Sequence, residues 1–284
     1  RQRQMCIRDR FMIILLGDID LSVGSMYAFI GVVSALIFKT TESAVLAIIA
    51  ALVIGTGIGF INGTITARFK IPAFITTLAT MSVCSGFAYI ITKGTPIGVT
   101  NPAFTFLGSG YIAGVIPLPI IFMLIVLALG YFTMYKTRFG LRLRACGEHP
   151  QAADSVGINV YKMRYAGVII SGALGGLGGL IYIAAANSTW HFDVGVAGAG
   201  FLALAVMIFG QWKPIRIALA ALLFGLFRAL SNVYLGIDWL ANIGISGTVY
   251  NMLPYIVSLI VLAFTSKKSR APKAEGIPYD KGMR

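Results

Sequence analysis

Long apolar segments constrain this chain more than any other feature of its sequence. A helix needs roughly 20 consecutive apolar residues to cross the hydrocarbon core of a bilayer, and most of the segments here approach or exceed that length. Charged residues make up only 12% of the chain, against about 25% in an ordinary soluble domain. The sequence therefore predicts an all-α, polytopic transmembrane bundle over residues 11–265, with about eight spans, and excludes a soluble enzyme. The apolar segments are 11–38, 43–67, 72–92, 114–135, 165–186, 200–211, 217–235 and 251–265.

Two of these segments are interrupted. The first contains Gly17-Asp18-Ile19-Asp20, and the sixth has only about 12 residues and follows a glycine-rich stretch at 195–200. In a bilayer, irregular backbone is tolerated only where it is buried in protein or lines a water-filled cavity. Paired broken helices of this kind surround the substrate sites of transporters. We therefore predict two interrupted helices, one in each half of the chain.

Basic residues are confined almost entirely to alternate loops. Sixteen lysines and arginines fall on one side of the predicted bundle, and only Lys39 and Lys93 fall in the loops on the other side. Because short cytoplasmic loops carry the excess of lysine and arginine, we expect the 136–164 loop and the 266–284 tail to be cytoplasmic. The same rule accounts for the net charge of +13 without nucleic-acid binding. The sixteen are Arg68, Lys70, Lys136, Arg138, Arg142, Arg144, Lys162, Arg164, Lys213, Arg216, Lys267, Lys268, Arg270, Lys273, Lys281 and Arg284.

The first ten residues, RQRQMCIRDR, differ in character from the rest of the chain. They hold four arginines and lack the apolar core and cleavage site of a signal peptide. We expect residues 1–10 to be a non-native leader, and we expect a native helix to be missing before Phe11. The three cysteines of the chain are scattered and form neither a CxxC pair nor a disulfide framework.

Glycines repeat at helical spacing in two of the spans. Gly55, Gly59 and Gly63 are four residues apart, and the stretch SGALGGLGGL at 171–180 repeats the pattern. Small residues at this spacing allow transmembrane helices to approach closely. A phosphate-binding loop would need a Gly-Lys pair, which the sequence lacks. If ATP is used, another subunit must hydrolyse it.

Ionisable residues inside spans are costly and are therefore candidates for function. Asp18, Asp20 and Arg228 are such residues. Two interpretations of Asp20 stay open: its carboxylate caps the helix that follows, or it lines a transport pathway. The other polar residues in or near spans either join helices by hydrogen bonds or contact a solute. They are Asn62, Thr76, Thr77, Ser82 and Asn232. The candidate pathway residues are Asp20, Ser22, Asn62, Thr76 and Thr77.

The 136–164 loop contains the signal of a short helix. Within GEHPQAADSVGINV, Pro150 suits the first position of a helix and Gly157 suits the residue just past its end. The spacing predicts a helix over about 150–156. Two turns cannot form a core of their own. We therefore expect this helix either to dock on a partner through the small side chains of Ala152 and Ala153 or to lie at the lipid headgroups.

Residues for catalysis or metal binding are not grouped in the sequence. Ser188, His191 and Asp193 fall in one short external loop, and the sequence contains neither an HExxH motif nor a cluster of metal ligands. The sequence therefore predicts no enzyme activity, no cofactor and no metal site. A membrane-embedded enzyme is the least favoured class.

Three stretches resemble the permease subunits of bacterial ABC importers for ribose, xylose and related simple sugars. They are GDIDLSVGSMYAF, GFINGTITARFKIPAFITTLATMSVCSGFAYIITKGTPI and GEHPQAADSVGINVYKMRYAGVIISGALGGLGGLIYI. The C-terminal third, beginning with GFLALAVMIFGQWKPIRIALAALLFGL, is closer to the nucleoside branch of the same superfamily. One departure is Gly17-Asp18, which stands where the family has Gly-Gly.

This resemblance implies a permease that pairs into a homodimer or heterodimer. It also implies two cytoplasmic ATPase subunits and an extracellular, periplasmic or lipoprotein solute-binding protein. The function implied is import of a ribose-like pentose or a nucleoside across the bacterial cytoplasmic membrane, with a cytoplasmic C-terminus. An ion-coupled secondary transporter, suggested by Asp18 and Asp20, is the alternative. The resemblance places a coupling helix in the 136–164 loop. Its expected ATPase contacts are Glu148, Gln151, Ala152, Ala153 and Gly157.

Overall fold

The computed structural model describes most of the chain, and the described part is almost entirely helical. The described residues are 20–95, 101–112, 114, 116–185 and 199–233, with the single positions 249, 252, 255–257, 259 and 279. The helices are α1 (Val23–Thr41), α2 (Ala44–Arg68), α3 (Ala73–Thr92), α4 (Pro102–Ser109), α5 (Leu118–Lys136), α6 (Arg138–Glu148), α7 (Pro150–Ser155), α8 (Val160–Ala185), α9 (Ala199–Phe209) and α10 (Pro214–Val233). Two short strands, β1 (Tyr111–Ile112) and β2 (Ile116–Pro117), form an antiparallel pair between α4 and α5.

Five of these helices, α1, α2, α3, α5 and α8, are long and apolar enough to cross a membrane. They coincide with the first five apolar segments of the sequence, and α9 and α10 coincide with the sixth and seventh. The predicted all-α, polytopic bundle is therefore confirmed for the part of the chain that the structure describes. The eighth segment, 251–265, lies mostly outside the described residues, as do residues 1–10.

The helices α1 and α2 are joined by a tight reversal of the chain. Glu42 follows α1 in the left-handed conformation with φ 52°, and its N–H donates to the carbonyl of Phe38. Ser43 then caps α2, because its hydroxyl accepts a hydrogen bond from the N–H of Leu46 at 3.4 Å. A serine in this position satisfies one of the unpaired amides of the first turn. The connection sets α1 and α2 side by side.

A glycine face of α2 packs directly on a glycine face of α8. Any side chain at Gly55 would collide with the carbonyl oxygen of Gly172, and a Cβ at Gly59 would come within 2.7 Å of the carbonyl oxygen of Val168. As the numbering rises along α2 it falls along α8, so the two helices are antiparallel. The repeated small residues therefore allow the close packing of α2 on α8 that their spacing predicts.

The helix α1 packs on α8 in the opposite sense. Tyr27 lies against Gly178 and Gly179, and Gly31 lies against Ile183. The numbering rises along both helices, so they run parallel. Parallel orientation of the first and fifth spans, with the second antiparallel to both, is what consecutive membrane crossings require. The packing of these three helices thus agrees with the alternation of crossings that the sequence predicts.

The depth at which α1 begins bears on the predicted interruption. Tyr27 is only a few residues into α1, yet it contacts glycines in the second half of α8. The start of α1 is therefore level with the middle of α8 and not with its end. Asp20 immediately precedes this start, whereas Gly17, Asp18 and Ile19 lie outside the described residues. The interruption predicted near 195–200 also falls largely outside them, and what is described there is the short helix α9.

The outward faces of α2, α3 and α5 are apolar. Val53, Ile90 and Leu129 are each more than half exposed, and many neighbouring positions are similar. A contiguous apolar surface of this extent is unstable in water. These faces are suited to lipid or to another membrane subunit.

Candidate functional site

The residues just before α1 form a buried polar turn. Asp20 is 4% exposed, and its Oδ1 accepts hydrogen bonds from the N–H of Ser22 at 2.8 Å and from the Ser22 hydroxyl at 2.6 Å. The predicted cap is therefore a local turn, since the carboxylate binds the amide of the residue that precedes α1 and not a first-turn amide. The carboxylate of Asp20 orders the entry into the helix.

This turn is attached to α3. The N–H of Leu21 donates to the hydroxyl oxygen of Thr77 at 3.2 Å. Thr77 is itself buried, and its hydroxyl donates to the carbonyl of Phe74 at 3.2 Å. Three of the predicted pathway residues, Asp20, Ser22 and Thr77, are thus brought together where α1 begins.

The other two predicted pathway residues lie at the contact between α2 and α3. Asn62 and Thr76 are both buried. The Thr80 hydroxyl lies 2.5 Å from Oδ1 of Asn62 and 3.1 Å from the carbonyl oxygen of Thr76. The bond between Thr80 and Asn62 joins α3 to α2. A hydrogen bond between helices was one of the two interpretations of Asn62 that the sequence left open. Thr80 was missed by the sequence reasoning, although its position four residues after Thr76 on one helix face was a usable signal.

The remaining polar residues of the spans do not join these groups in the described structure. Ser82 is exposed, and its hydroxyl donates to the carbonyl of Leu78 within α3. The side chains of Arg228 and Asn232 lie outside the described residues, as do Ser188, His191 and Asp193. Among the described residues there is no group of three or more His, Cys, Asp or Glu side chains able to hold a metal ion.

The short helix predicted in the 136–164 loop is present as α7, Pro150–Ser155. Gly157 has φ +82°, and its N–H donates to the carbonyl of Asp154 at 2.9 Å. The N–H of Ile158 reaches the carbonyl of Ala153 at 3.0 Å. This pair of bonds is the Schellman arrangement, which needs a left-handed residue and therefore favours glycine. The end of α7 is thus determined by its local sequence.

The structure separates the two alanines of α7. Ala152 is exposed, together with Glu148, Gln151 and Gly157. Ala153 is 2% exposed and packs inside a cluster of this chain's own residues. The expectation that both alanines face a partner is corrected here, because successive helical positions are rotated by about 100° and this rotation turns Ala153 toward the bundle. Of the two alanines, only Ala152 is exposed.

The base of α7 is held by α6 and α8. Thr137 caps α6, its hydroxyl accepting from the N–H of Gly140 at 3.2 Å, and Cys146 on α6 is fully buried in the same cluster as Ala153. Burial raises the pKa of the Cys146 thiol, and the charge of Arg164 opposes this shift. Arg164, expected among the basic loop residues, is a buried residue of α8.

Known proteins resemble this chain over nearly its whole length. Residues 10–264 match the family described as the permease component of the branched-chain amino acid transport system. Over 164 residues the chain is 48% identical to the nucleoside ABC transporter permease protein NupC of Lactococcus lactis subsp. cremoris (strain MG1363), covering 58% of this chain and 51% of that protein. Over 157 residues it is 45% identical to the guanosine ABC transporter permease protein NupQ of Bacillus subtilis (strain 168), covering 55% of this chain and 48% of that protein.

A third relative aligns over a longer stretch. The chain is 30% identical over 270 residues to the ribose import permease protein RbsC of Escherichia coli (strain K12), covering 90% of this chain and 80% of that protein. The chain spans about half the length of the two nucleoside permeases that it matches. No solved structure matches it. These relatives are ABC permeases, so they lend no support to the ion-coupled alternative that the two aspartates suggested.

Proposed function

The chain belongs to the family of branched-chain amino acid transport system permease components, within its simple-sugar and nucleoside superfamily, and from this premise we propose that it is the permease subunit of a bacterial ABC importer. The observation that carries the proposal is the family match over residues 10–264, together with five helices between Val23 and Ala185 that are long and apolar enough to cross a membrane. The chain itself is a multi-pass membrane protein and a transport subunit. ATP hydrolysis belongs to a separate ATPase subunit.

The solute that we propose is a nucleoside, with ribose or a ribose-like pentose as the second candidate. Identity is 48% and 45% to the two nucleoside permeases and 30% to the ribose permease of Escherichia coli. A nucleoside contains a ribose ring, so one pathway can present suitable hydrogen-bonding groups to both. The ribose permease supports the second candidate because its match covers more of both chains.

The solute pathway in this proposal passes the start of α1. Asp20, Ser22 and Thr77 bring a carboxylate and hydroxyl groups to a level inside the bundle. Asn62, Thr76 and Thr80 supply further polar groups between α2 and α3. Such groups suit the hydroxyls of a sugar ring, because a carboxylate accepts hydrogen bonds and a hydroxyl both donates and accepts them.

The ATPase contact that we propose is the exposed side of the 148–157 segment. Gln151 and Ala152 are exposed on the short helix α7, and Glu148 and Gly157 are exposed at its two ends. The opposite side of α7 packs against the bundle through Ala153. Lysines and arginines are concentrated in the loops on this side, which the positive-inside rule places in the cytoplasm. A solute-binding protein would then meet the opposite side, and a second permease subunit would complete the pathway.

Uptake into sealed vesicles tests this function. The chain is produced together with an ATPase subunit and a solute-binding protein of an importer of this family, and the vesicles contain ATP or a non-hydrolysable analogue. We expect uptake of labelled guanosine only with ATP, and no effect of a protonophore. Uptake that persists without ATP and stops with the protonophore would support the ion-coupled class instead. Labelled ribose in parallel vesicles distinguishes the two solute candidates.

A further inference from the structure

A tyrosine of the C-terminal tail is packed against the α7 region. Tyr279 is 6% exposed, and its ring meets the ring of Tyr161 edge-on, with centroids 5.3 Å apart and planes at 63°. It belongs to the same buried cluster as Leu143, Cys146 and Ala153. The tail therefore contributes a side chain to the core on which α7 rests, although more than a hundred residues separate the two in sequence.

The hydroxyl of Tyr279 makes a specific contact with α7. Burial raises the pKa of the Tyr279 phenol, and a hydrogen bond to the carboxylate of Asp154 raises it further. The phenol is therefore protonated at neutral pH and donates to Asp154. Asp154 also supplies the carbonyl that accepts the N–H of Gly157 at the end of α7. One residue of the tail thus belongs to the buried cluster beneath α7 and also forms a hydrogen bond with the last turn of that helix.

A helix as short as α7 needs such contacts. It has only six residues, and isolated helices shorter than about 12 residues are marginal in water. Its start at Pro150 and its Schellman end define its length but not its direction relative to the bundle. Ala153 and Asp154 lie in its last turn, where Tyr279 forms a hydrogen bond with Asp154, while the ring of Tyr279 packs on Tyr161 of α8. The orientation of the exposed Gln151 and Ala152 depends on how this last turn is held.

We propose that Tyr279 is a positioning residue for energy coupling. Its side chain clamps α7 through Asp154 and Tyr161, so that the exposed side of α7 is held in the orientation that meets the ATPase. The inference rests on the proposed function for the identity of the partner. The clamp itself concerns only residues of this chain.

Hydrogen exchange of the full-length permease in lipid nanodiscs tests the clamp without solute or ATPase. We expect Tyr279→Phe to speed amide exchange at Ala153, Gly157 and Ile158 roughly 2- to 12-fold, the effect of one lost hydrogen bond. Tyr279→Ala should give a larger increase, because the ring contact is lost as well. Tyr111→Ala, which removes an exposed tyrosine from the hairpin between α4 and α5, is the matched control and should leave these amides unchanged. Unchanged exchange in Tyr279→Ala would overturn the clamp.

The complete transporter tests whether the clamp serves coupling. The readout is the number of guanosine molecules imported per ATP hydrolysed. We expect Tyr279→Ala to lower this ratio at least about fivefold while basal ATPase activity persists, and Asp154→Asn, which keeps an oxygen acceptor, to lower it less than Asp154→Ala. The positioning role would be overturned if Tyr279→Ala and Asp154→Ala speed amide exchange in α7 but leave the number of guanosine molecules imported per ATP unchanged. If the wild-type complex imports neither guanosine nor ribose, the proposed function fails, and the exchange data still decide the clamp.

Discussion

The amide of Leu21 donates a hydrogen bond to the hydroxyl of Thr77, with N and Oγ1 3.2 Å apart. Both residues are buried, so neither group has ready access to water. The bond joins the residues before α1 to α3, and the adjacent Asp20 is the buried carboxylate of the candidate pathway. The position of Asp20 within the bundle therefore depends on a threonine more than fifty residues away.

The first prediction concerns this bond. Thr77→Val keeps the shape of the side chain but removes the acceptor, which leaves the buried N–H of Leu21 unsatisfied. We expect a loss of about 1–3 kcal/mol in the free energy of unfolding and reduced guanosine uptake. Thr77→Ser keeps the hydroxyl and should retain most of the stability and most of the guanosine uptake.

Thr56→Val is the control, because the Thr56 hydroxyl bonds only to carbonyls of its own helix. Unfolding of the purified permease in detergent measures the difference, and equal stability of the two Thr77 variants would contradict the role given to the bond.

The second prediction concerns the contact between α2 and α8. A methyl group at Gly55 would collide with the backbone of Gly172, whereas a methyl group at Gly57, two residues later, would meet nothing within 4 Å. Overpacking costs about 1–3 kcal/mol, and alanine favours a helix over glycine by about 1 kcal/mol. We therefore expect Gly55→Ala to lower the melting temperature of the detergent-solubilised permease and Gly57→Ala to leave it unchanged or raise it. Similar shifts in both variants would mean that the close approach is not required.

Much of the fold follows from local patterns in the sequence. The apolar segments predict the long helices, because the backbone must satisfy its own hydrogen bonds in lipid. Pro150 and Gly157 predict α7 almost to the residue, since capping depends on neighbours in the chain. Gly55 and Gly172 mark helix contacts by their spacing, although the sequence does not say which helix meets which.

What the sequence could not predict depends on tertiary packing. Ala152 and Ala153 are equivalent as residue types, and only the docking of α7 on α6 and α8 makes one exposed and the other buried. Thr80 becomes a partner of Asn62 only through the register between α2 and α3. The contact of Tyr279 with Tyr161 joins distant parts of the chain and has no local signature.

The third prediction tests the topology that the loop charges imply. Lys136 and Lys93 are both exposed and lie at opposite ends of the spans. In a variant with the three cysteines of the chain replaced by alanine, we expect Lys136→Cys to react with a membrane-impermeant maleimide only after the cells are opened. Lys93→Cys should react in intact cells and serves as the positive control. Labelling of Lys136→Cys from outside would reverse the assignment of the 136–164 loop.

The final prediction separates docking from packing on α7. Ala152→Trp places a large side chain on the exposed surface that we propose meets the ATPase, without entering the chain's own core. We expect this variant to fold and insert normally, and to lose roughly 5- to 150-fold in affinity for the ATPase, the equivalent of about 1–3 kcal/mol of overpacking at a fitted interface.

Ala153→Trp forces the same bulk into the cluster around Cys146 and Tyr279, so it should lower the melting temperature of the permease alone. Glu148→Ala should have a small effect, since an exposed charge pair contributes only about 0–1 kcal/mol. Solute-stimulated ATPase activity of the reconstituted complex and the melting temperature of the isolated permease are measured for all three variants. Full stimulation in Ala152→Trp would show that the exposed side of α7 is not the surface through which the permease couples to the ATPase.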